Sequence, residues 1–325
     1  MDSFLDPAIL FFVFGLVAGL LRSNLEIPVQ VARFLSLYLL MALGLKGVFA
    51  LNKSGLKQEV AVSLGCALAL AVIVPALGYA VLRRVLDGFD AAAVAATYGS
   101  VSAVTFITAV QYMDTNGLAY GGHMAAAMAL MESPAIIMAV LMANMVRHRR
   151  NAGQRSSDPA THTSIGKVLH ESFTDGAQLL LLGALAVGIL TGADGEATMK
   201  PFTADLFKGM LAFFLLDMGL HASRHLGSLR GHSPWLLAYA VAGPLAHSML
   251  ALGLCALLGI SAGNAALLMV LAASASYIAV PAVVRHAIPE ANPSLYFGMS
   301  LGVTFPLNIL VGIPLYVSIA HRVLG

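Results

Sequence analysis

A run of small and hydroxylated residues, T-Y-G-S-V-S-A-V-T-F-I-T, occupies the range Thr97–Thr108 inside a long apolar segment. Gly weakens a helix interior by about 1 kcal/mol relative to Ala. Ser and Thr side chains offer local hydrogen bonds that compete with the helical ladder. The presence of Gly99, Ser100, Ser102 and Thr105 therefore predicts a helix that breaks partway across a membrane. Such a break is tolerated only where it is buried in protein or lines a wet cavity.

The second half of the chain carries a similar run, S-A-S-Y-I-A-V-P, over Ser274–Pro281. Two interrupted segments at corresponding positions in two halves indicate the binding site of a transporter. Each resumed half-helix presents unpaired N–H groups and about half a positive charge, so two such ends form an anion site without a cationic side chain. We interpret Ser102 and Ser276 as N-caps, and Pro281 as a first-turn residue of the resumed helix.

Oxygen atoms around the two breaks also suit a cation. The carbonyls freed by each break, together with the hydroxyls of Ser100, Ser102 and Thr105, are hard ligands that favour Na⁺ over a transition metal. The alternative is close helix packing, which small residues permit. A single run of this kind favours packing, whereas its paired occurrence favours a binding site.

An ionisable residue, Glu132, lies in M-E-S-P at the head of the fifth apolar segment. An ionisable group at membrane depth is a functional hypothesis by default. Pro134 frees a backbone carbonyl there, and Glu132 with Ser133 adds oxygens for a cation. The counterpart in the second half is T-F-P-L-N, with polar Thr304 and Asn308. Equally open is an interfacial Glu132 that caps the start of a helix.

A second acidic residue, Asp217, lies in L-L-D-M-G-L-H, one turn before His221. Lys46 occupies the His221 position in the first half. Lys46 and His221 are expected near span ends, where long side chains reach the interface at little cost. Asp217 lies deeper, and we favour an inter-helix ion pair, with Lys46 as the candidate partner, over contact with substrate.

The sequence lacks the motifs of membrane enzymes and ATP-driven pumps. It contains no H-E-x-x-H, no G-x-S-x-G and no phosphate-binding Gly-Lys loop. His123 and His247 stand alone in apolar surroundings, which favours structural or pore-lining roles over a metal site. We therefore predict that the chain is not an enzyme. Its net charge of +2 is too small to indicate a nucleic-acid partner.

The composition indicates a polytopic membrane protein. Of the 325 residues, 59% are hydrophobic and 10% are charged, against about 25% charged in soluble domains. A spanning helix needs about 20 mostly apolar residues, and on this basis we predict about ten spans. They are Pro7–Leu21, Val29–Leu51, Val60–Leu82, Ala91–Tyr112, Met124–Val146, Ala177–Thr191, Phe202–Leu220, Pro234–Ile260, Ala265–Val284 and Ser294–Ala320.

The polar stretch Arg147–Lys167 divides these spans into two sets of five. We predict a first five-helix repeat over 1–146, a basic cytoplasmic linker over 147–168 and a second five-helix repeat over 169–325. Basic residues collect on cytoplasmic loops, and with both termini outside, eleven Lys and Arg residues fall inside against four outside. The inner residues are Arg22, Arg83, Arg84, Arg147, Arg149, Arg150, Arg155, Lys167, Arg224, Arg230 and Arg285, and the outer ones are Lys53, Lys57, Lys200 and Arg322.

The two halves resemble each other in four places in the same order. The offset is 175 residues between L-L-M-A-L-G-L from Leu39 and F-L-L-D-M-G-L from Phe214, and 174 between Ser100 and Ser274. The remaining two matches pair Asp6 with Asp175 and Ser133 with Phe305. Since each half has five spans, the second must enter the membrane in the opposite sense. The fold class is therefore an all-α membrane protein built from two inverted five-helix repeats, with helices 4 and 9 broken.

Four longer strings carry a family resemblance: A-A-T-Y-G-S-V-S-A-V-T-F, A-L-M-E-S-P-A-I-I, F-L-L-D-M-G-L and A-A-S-A-S-Y-I-A-V-P-A. Together they resemble the SbtA-type sodium-dependent bicarbonate transporters, over essentially all ten spans. The resemblance implies Na⁺-coupled bicarbonate uptake, a homotrimer in the bacterial inner membrane with its lipid, and regulation by a PII-like protein from the cytoplasmic side.

The resemblance also places the ligands around the two breaks. We predict that bicarbonate contacts Gly99, Ser100, Val101, Ser102, Ser274, Ala275, Ser276 and Tyr277. We predict that Na⁺ contacts Ser100, Ser102, Val104, Thr105, Glu132 and Asn308. Two other functions remain open. A cation/proton antiporter would depend on Glu132, and a passive anion channel would use similar helix ends.

Overall fold

The computed structural model describes residues 6–54, 58–151, 176–226 and 233–325, and these are helical, with no strand among them. The first half contains six helices, here numbered in chain order: α1 Pro7–Leu20, α2 Val29–Ser54, α3 Gln58–Leu82, α4 Gly88–Gly99, α5 Ala103–Thr115 and α6 Met124–Asn151. In the second half, the described residues form α7 Gly176–Lys200, α8 Phe207–Leu226, α9 Pro234–Leu258, α10 Ala262–Ala273, α11 Ala279–Ala287 and α12 Pro293–Leu324.

The helix starts follow local sequence signals. Asp6 caps α1 through a 2.8 Å bond from the Ala8 amide, with a proline at the first helical position. Asp87 accepts from the Phe89 amide at the start of α4. Short polar side chains satisfy the orphan N–H groups of a first turn in this way, and proline loses nothing there because its missing N–H has no helical partner.

The helices have the length and composition of a multi-pass membrane protein. Among the described residues, seven stretches are long and apolar enough to cross a membrane: Val29–Asn52, Gln58–Leu82, Gly88–Thr115, Met124–Arg147, Leu179–Asp205, Pro234–Leu258 and Pro293–Leu324. Two shorter apolar helices are Pro7–Leu20 and Ala262–Ala273. The prediction of a polytopic membrane protein is confirmed.

Two predicted spans differ in detail from the observed helices. The seventh, predicted from Phe202, begins as α8 at Phe207, because a π-helical turn over Pro201–Asp205 precedes it. The sixth extends past Thr191 to Lys200, with a kink at Gly192, whose φ is 57°. Glycine adopts this left-handed conformation without the clash of a Cβ atom. The predicted linker starts at Arg147, but α6 continues to Asn151, and 152–167 lie outside the described residues.

Small residues bring α1 and α8 into close contact along their length. A Cβ on Gly15 would lie 2.2 Å from the Leu216 carbonyl oxygen, and one on Gly219 would lie 2.3 Å from the Phe12 carbonyl oxygen. Gly15 and Gly19 form a G-x-x-x-G spacing, which lets membrane helices approach backbone to backbone. Glycine also allows α2 to pack against α7, where Gly44 faces Leu181 and Ala184. These four helices flank the remaining ones, in which α3 packs on α4 and α9 packs on α10.

Candidate functional site

The two serine-rich runs leave helical geometry at similar points. The first leaves it after α4, where Ser100 has φ −90° and ψ −176°, and the chain stays extended to Ser102 before α5 begins. The second leaves it after α10, where Ser274 is extended with φ −79° and ψ 165°, and α11 begins at Ala279. Each run therefore places an extended segment between two short helices.

Two hydrogen bonds join the two serine-rich runs to each other. The Ser102 amide donates to the Ser274 hydroxyl at 3.0 Å, and the Ser276 amide donates to the Thr97 carbonyl at 2.8 Å. Ser274 in turn donates to the Leu271 carbonyl at 2.8 Å. A buried polar backbone group needs such partners, because leaving it unsatisfied in an apolar environment costs several kcal/mol.

Serine side chains cap both resumed helices. Ser102 is the N-cap of α5, and its hydroxyl accepts from the Thr105 amide at 3.2 Å and from the Thr105 hydroxyl at 2.9 Å. The predicted cap role of Ser102 is confirmed. In the second run the N-cap position is Ile278, yet the Ser276 hydroxyl accepts from the Val280 amide at 3.3 Å. Ser276 thus satisfies a first-turn amide from a position two residues ahead of the cap.

One cavity of about 140 Å³ lies where the two runs meet. Its volume exceeds the 10–15 Å³ that one water needs. The lining residues come from α2, α5, α6, α7, α8, the start of α11 and both extended segments. They are Ser36, Leu39, Leu40, Val101, Ser102, Ala103, Val104, Ile107, Met128, Glu132, Leu181, Phe214, Ser276, Tyr277, Ile278 and Ala279.

Six of the residues predicted for ligand contact line this cavity: Val101, Ser102, Val104, Glu132, Ser276 and Tyr277. Glu132 lies in the third turn of α6, which begins at Met124, and not at a helix start. The alternative in which it caps a helix is therefore wrong, because the first turn of α6 is formed eight residues earlier. Its half-buried carboxyl group is the acidic side chain on the cavity wall.

The other six predicted residues are buried behind the cavity wall: Gly99, Ser100, Thr105, Ser274, Ala275 and Asn308. Several of them hold the wall in place. The Asn308 amide donates to the Ala273 carbonyl at the end of α10, and its oxygen accepts from Tyr316. Gly99 allows α4 to approach α3, since a Cβ there would lie 2.5 Å from the Pro75 ring. The Ser100 hydroxyl is fully buried without a hydrogen-bond partner among the described residues.

The sequence did not predict the part of the cavity wall that comes from α2, α7 and α8. This part consists of Ser36, Leu39 and Leu40 of α2, Leu181 of α7 and Phe214 of α8. A signal for two of them was present, because Leu39 and Phe214 begin the two related strings at offset 175. Those strings contain mostly apolar residues, so their chemistry did not indicate a site.

Tyr277 brings a buried hydroxyl to the cavity, beside the hydroxyl of Ser102. Its ring packs edge-on against Phe305, with the centroids 5.2 Å apart. Buried hydroxyls at a cavity are groups to which a polar ligand can hydrogen-bond.

The predicted pairing of Asp217 with Lys46 is wrong. Lys46 Nζ binds Asp114 Oδ2 at the end of α5, and the Tyr120 hydroxyl donates to Asp114 Oδ1 at 2.9 Å. The basic side chain beside Asp217 is instead His221, one turn along α8, with 3.7 Å between Nε2 and Oδ1. Burial, and then the Asp114 carboxylate, raises the pKa of Tyr120 above its ordinary value, so Tyr120 is a neutral hydrogen-bond donor to Asp114.

The site offers oxygen atoms and amide groups. Among the described residues, no group of three or more His, Cys, Asp and Glu side chains could hold a metal ion. The cavity instead combines hydroxyls, the Glu132 carboxyl group and the first residues of two helices. Oxygen donors of this kind suit hard monovalent or divalent cations, and helix N-termini suit anions.

A comparison with protein families matches residues 7–321 to the family described as the Na⁺-dependent bicarbonate transporter superfamily. The match covers nearly the whole chain. No curated protein matches the chain at a significant level.

Proposed function

Because the chain belongs to the Na⁺-dependent bicarbonate transporter superfamily, we propose that it is a secondary active transporter that carries bicarbonate into the cell together with Na⁺. One observation carries this proposal. The first residues of both resumed helices, Ala103 and Val104 of α5 and Ala279 of α11, line one cavity. An anion in that cavity meets two sets of unpaired N–H groups and two positive helix ends.

The anion is small and monovalent in this proposal. The described residues of the cavity wall include no Arg or Lys, and a dianion or a large carboxylate would favour a charged clamp. Bicarbonate lies between the segments Gly99–Ser102 and Ser274–Tyr277. Ser102, Ser276 and Tyr277 supply hydroxyls on the cavity, while Gly99, Ser100, Ser274 and Ala275 shape the backbone behind it.

Sodium binds beside the anion on the α6 side. Ser102 and Glu132 line the cavity, and Thr105 is hydrogen-bonded to Ser102. Val104 also lines the cavity, at the start of α5, where its carbonyl accepts from the Thr108 hydroxyl at 2.8 Å. Asn308 supports this arrangement from behind, through the end of α10.

Two inverted repeats form the protein in this proposal, one over 1–146 and one over 169–325. Under that symmetry α1 and α2 correspond to α7 and α8, and α3 and α4 correspond to α9 and α10. The packing supports this symmetry. Swapping corresponding helices turns the contact of α1 with α8 into the contact of α7 with α2, and both are observed. It likewise turns the contact of α3 with α4 into that of α9 with α10, and both are observed. The broken fourth and ninth spans are then α4–α5 and α10–α11.

We propose that the protein works by alternating access, and the composition of the cavity wall supports this. One side comes from α2, α7 and α8, and the other from the two broken spans and α6. Movement of the first set against the second exposes the site to either side of the membrane. Both termini lie outside and the basic linker lies in the cytoplasm. The protomers form a trimer in the bacterial inner membrane, and a PII-like protein docks from the cytoplasmic side.

Uptake of radiolabelled bicarbonate into proteoliposomes tests the transport function. We expect accumulation above the external concentration with an inward Na⁺ gradient, and none with an equal inward K⁺ gradient. Ser300→Ala is the control for replacing a buried serine outside the site, and it should transport like the wild type. Among the described residues, the Ser300 hydroxyl bonds the Tyr296 carbonyl of its own helix. Flux that runs only downhill, with or without Na⁺, would identify a passive anion channel instead.

A cation/proton antiporter is the second candidate, because Glu132 lies on the cavity wall. A pH-sensitive dye inside the same vesicles distinguishes the two functions. An antiporter acidifies or alkalinises the lumen when Na⁺ is added without bicarbonate, and Glu132→Gln abolishes the signal. The proposed symporter gives no lumenal pH change under that condition.

A further inference from the structure

Asp217 is the one buried carboxyl group among the described residues. Its side chain is 3% exposed, near the middle of α8. Oδ2 is buried without a hydrogen-bond partner. Oδ1 lies 3.7 Å from His221 Nε2, which is beyond hydrogen-bonding distance. The ligand sites proposed above do not use this group.

Among the described residues, no charged side chain of a neighbouring helix is bonded to Asp217. Between Pro7 and Leu20, α1 has no charged residue, and neither has the stretch Gly298–Leu307 of α12. On α2, Lys46 is bound to Asp114 and Arg33 is exposed. The charged groups that act on Asp217 are His221 and the exposed Arg224 of its own helix. Across the interface, the Asp217 carboxyl group is close enough to the Tyr277 hydroxyl to interact with it electrostatically.

An ionised carboxylate in this position would be expensive. Moving an unpaired charge from water into an apolar interior costs several kcal/mol even after relaxation. A buried carboxylate without hydrogen bonds therefore takes up a proton instead of staying charged. His221 is 42% exposed on its side chain and stands one turn along the helix from Asp217.

We propose that Asp217 is a proton-binding site, with its carboxyl group protonated while α8 is packed as it is here. The proton leaves by transfer from the carboxyl O–H to the neutral imidazole nitrogen Nε2 of His221, which yields a carboxylate and an imidazolium. The imidazolium then loses the proton to water. Asp217 lies one turn from Phe214 on the cavity wall, but it is not itself a lining residue.

Infrared spectroscopy of the purified protein tests this without any transport assay, so its outcome is independent of the proposed function. A protonated carboxylic acid has a C=O stretch well separated from the bands of carboxylates and amides. We expect this band in the wild type at neutral pH and its loss in Asp217→Asn. Glu132→Gln is the matched control, and it should retain the band.

Isotope labelling of the wild type tests the proposal even if Asp217→Asn does not fold. Wild-type protein grown with ¹³C-labelled aspartate should show the same band shifted to lower frequency, because the acid belongs to an aspartate. His221→Gln should retain the band and slow its exchange with D₂O severalfold, since the proton acceptor is gone. Absence of an aspartic acid band in the wild type overturns the proposal. A band that vanishes on addition of Na⁺ also overturns it, by identifying a sodium site.

Discussion

The amide of Ser102 donates a hydrogen bond to the hydroxyl of Ser274 across 3.0 Å, and so joins two segments that are 172 residues apart in the chain. Replacing Ser274 with Ala removes this acceptor and leaves a buried N–H unsatisfied. Such a group costs about 1–3 kcal/mol. We expect Ser274→Ala to lower the thermal unfolding midpoint of the detergent-purified protein and to weaken bicarbonate uptake.

Ser300→Ala provides the comparison for that prediction. Ser300 is also fully buried, but its hydroxyl donates only to the Tyr296 carbonyl of its own helix. Its removal should change the midpoint little, because back-bonding serines contribute little to helix stability. Equal midpoints for the two variants would show that the bond between the segments has no structural role.

The ion pair of Lys46 with Asp114 joins α2 to α5, and a double-mutant cycle measures it. Both side chains are 30% exposed, so we expect a coupling of about 0.2–1 kcal/mol between Lys46→Met and Asp114→Asn. The matching cycle of Lys46→Met with Asp217→Asn should be additive within about 0.5 kcal/mol. Coupling in the second cycle and none in the first would contradict the observed pairing.

Gly99 allows α4 to end against α3, and its replacement tests how tightly the wall behind the cavity is packed. A Cβ there would lie 2.5–2.6 Å from three atoms of the Pro75 ring, which is rigid. We expect Gly99→Ala to destabilise the fold by about 1–3 kcal/mol through overpacking. Gly65→Ala in α3 is the control, because a Cβ at Gly65 meets nothing within 4 Å. That control should be neutral or stabilising by about 0.5–1 kcal/mol, as measured by thermal unfolding.

His123 gives the stability a pH dependence. It precedes α6 in a loop, and burial lowers its pKa, while the charge of Glu59 opposes this in part. The folded state therefore favours neutral imidazole, and the unfolded state binds more protons below its ordinary pKa of about 6.5. The linkage relation then requires stability to fall as the pH drops below about 6.5.

Unfolding midpoints at pH 7.5 and pH 5.5 measure this effect. His123→Gln should lose less stability than the wild type over that interval, because the group that must stay neutral is absent. A wild-type slope in His123→Gln would assign the acid sensitivity to another group.

The lengths of the apolar segments predicted most of the helices, because the thickness of the bilayer sets the length of a spanning helix. Val29, Met124 and Pro234 begin helices at the predicted residues. The extended segment around Ser102 falls where Gly and Ser weaken the helix. The positions of helices and of their caps depend on local sequence, so they could be predicted.

Contacts between helices could not be predicted in the same way. Lys46 binds Asp114, and Asp217 faces His221, because the rotation of an apolar helix about its axis is not encoded in its composition. Leu39 and Phe214 complete the cavity, yet their residue types are the same as those expected on a surface that faces lipid. The Leu39 and Phe214 strings recur between the halves, and that recurrence was the available sign of their position.

The last prediction concerns the coupling of the two ligands. In the proposed site the anion meets two helix ends, each equivalent to about half a positive charge, and Na⁺ lies beside it. Each ligand should then raise the affinity of the other, and thermodynamic linkage requires the two factors to be equal. We expect a factor of about five or more, the lower end of typical couplings. Calorimetric titration of bicarbonate at several fixed Na⁺ concentrations, and the reverse titration, measure both factors.

In the same experiment, Glu132→Gln distinguishes an effect on Na⁺ affinity from an effect on bicarbonate affinity. The variant removes the carboxylate from the cavity wall, so Na⁺ affinity should fall at least tenfold. Bicarbonate affinity in a Na⁺-free buffer should stay unchanged or improve, because the lost charge repelled the anion. At saturating Na⁺ the wild type and the variant should converge in bicarbonate affinity. Bicarbonate affinity that is the same in Na⁺-free and Na⁺-saturated wild type would rule out adjacent binding, and a fall in Na⁺-free bicarbonate affinity in Glu132→Gln would place the Glu132 side chain on the anion instead.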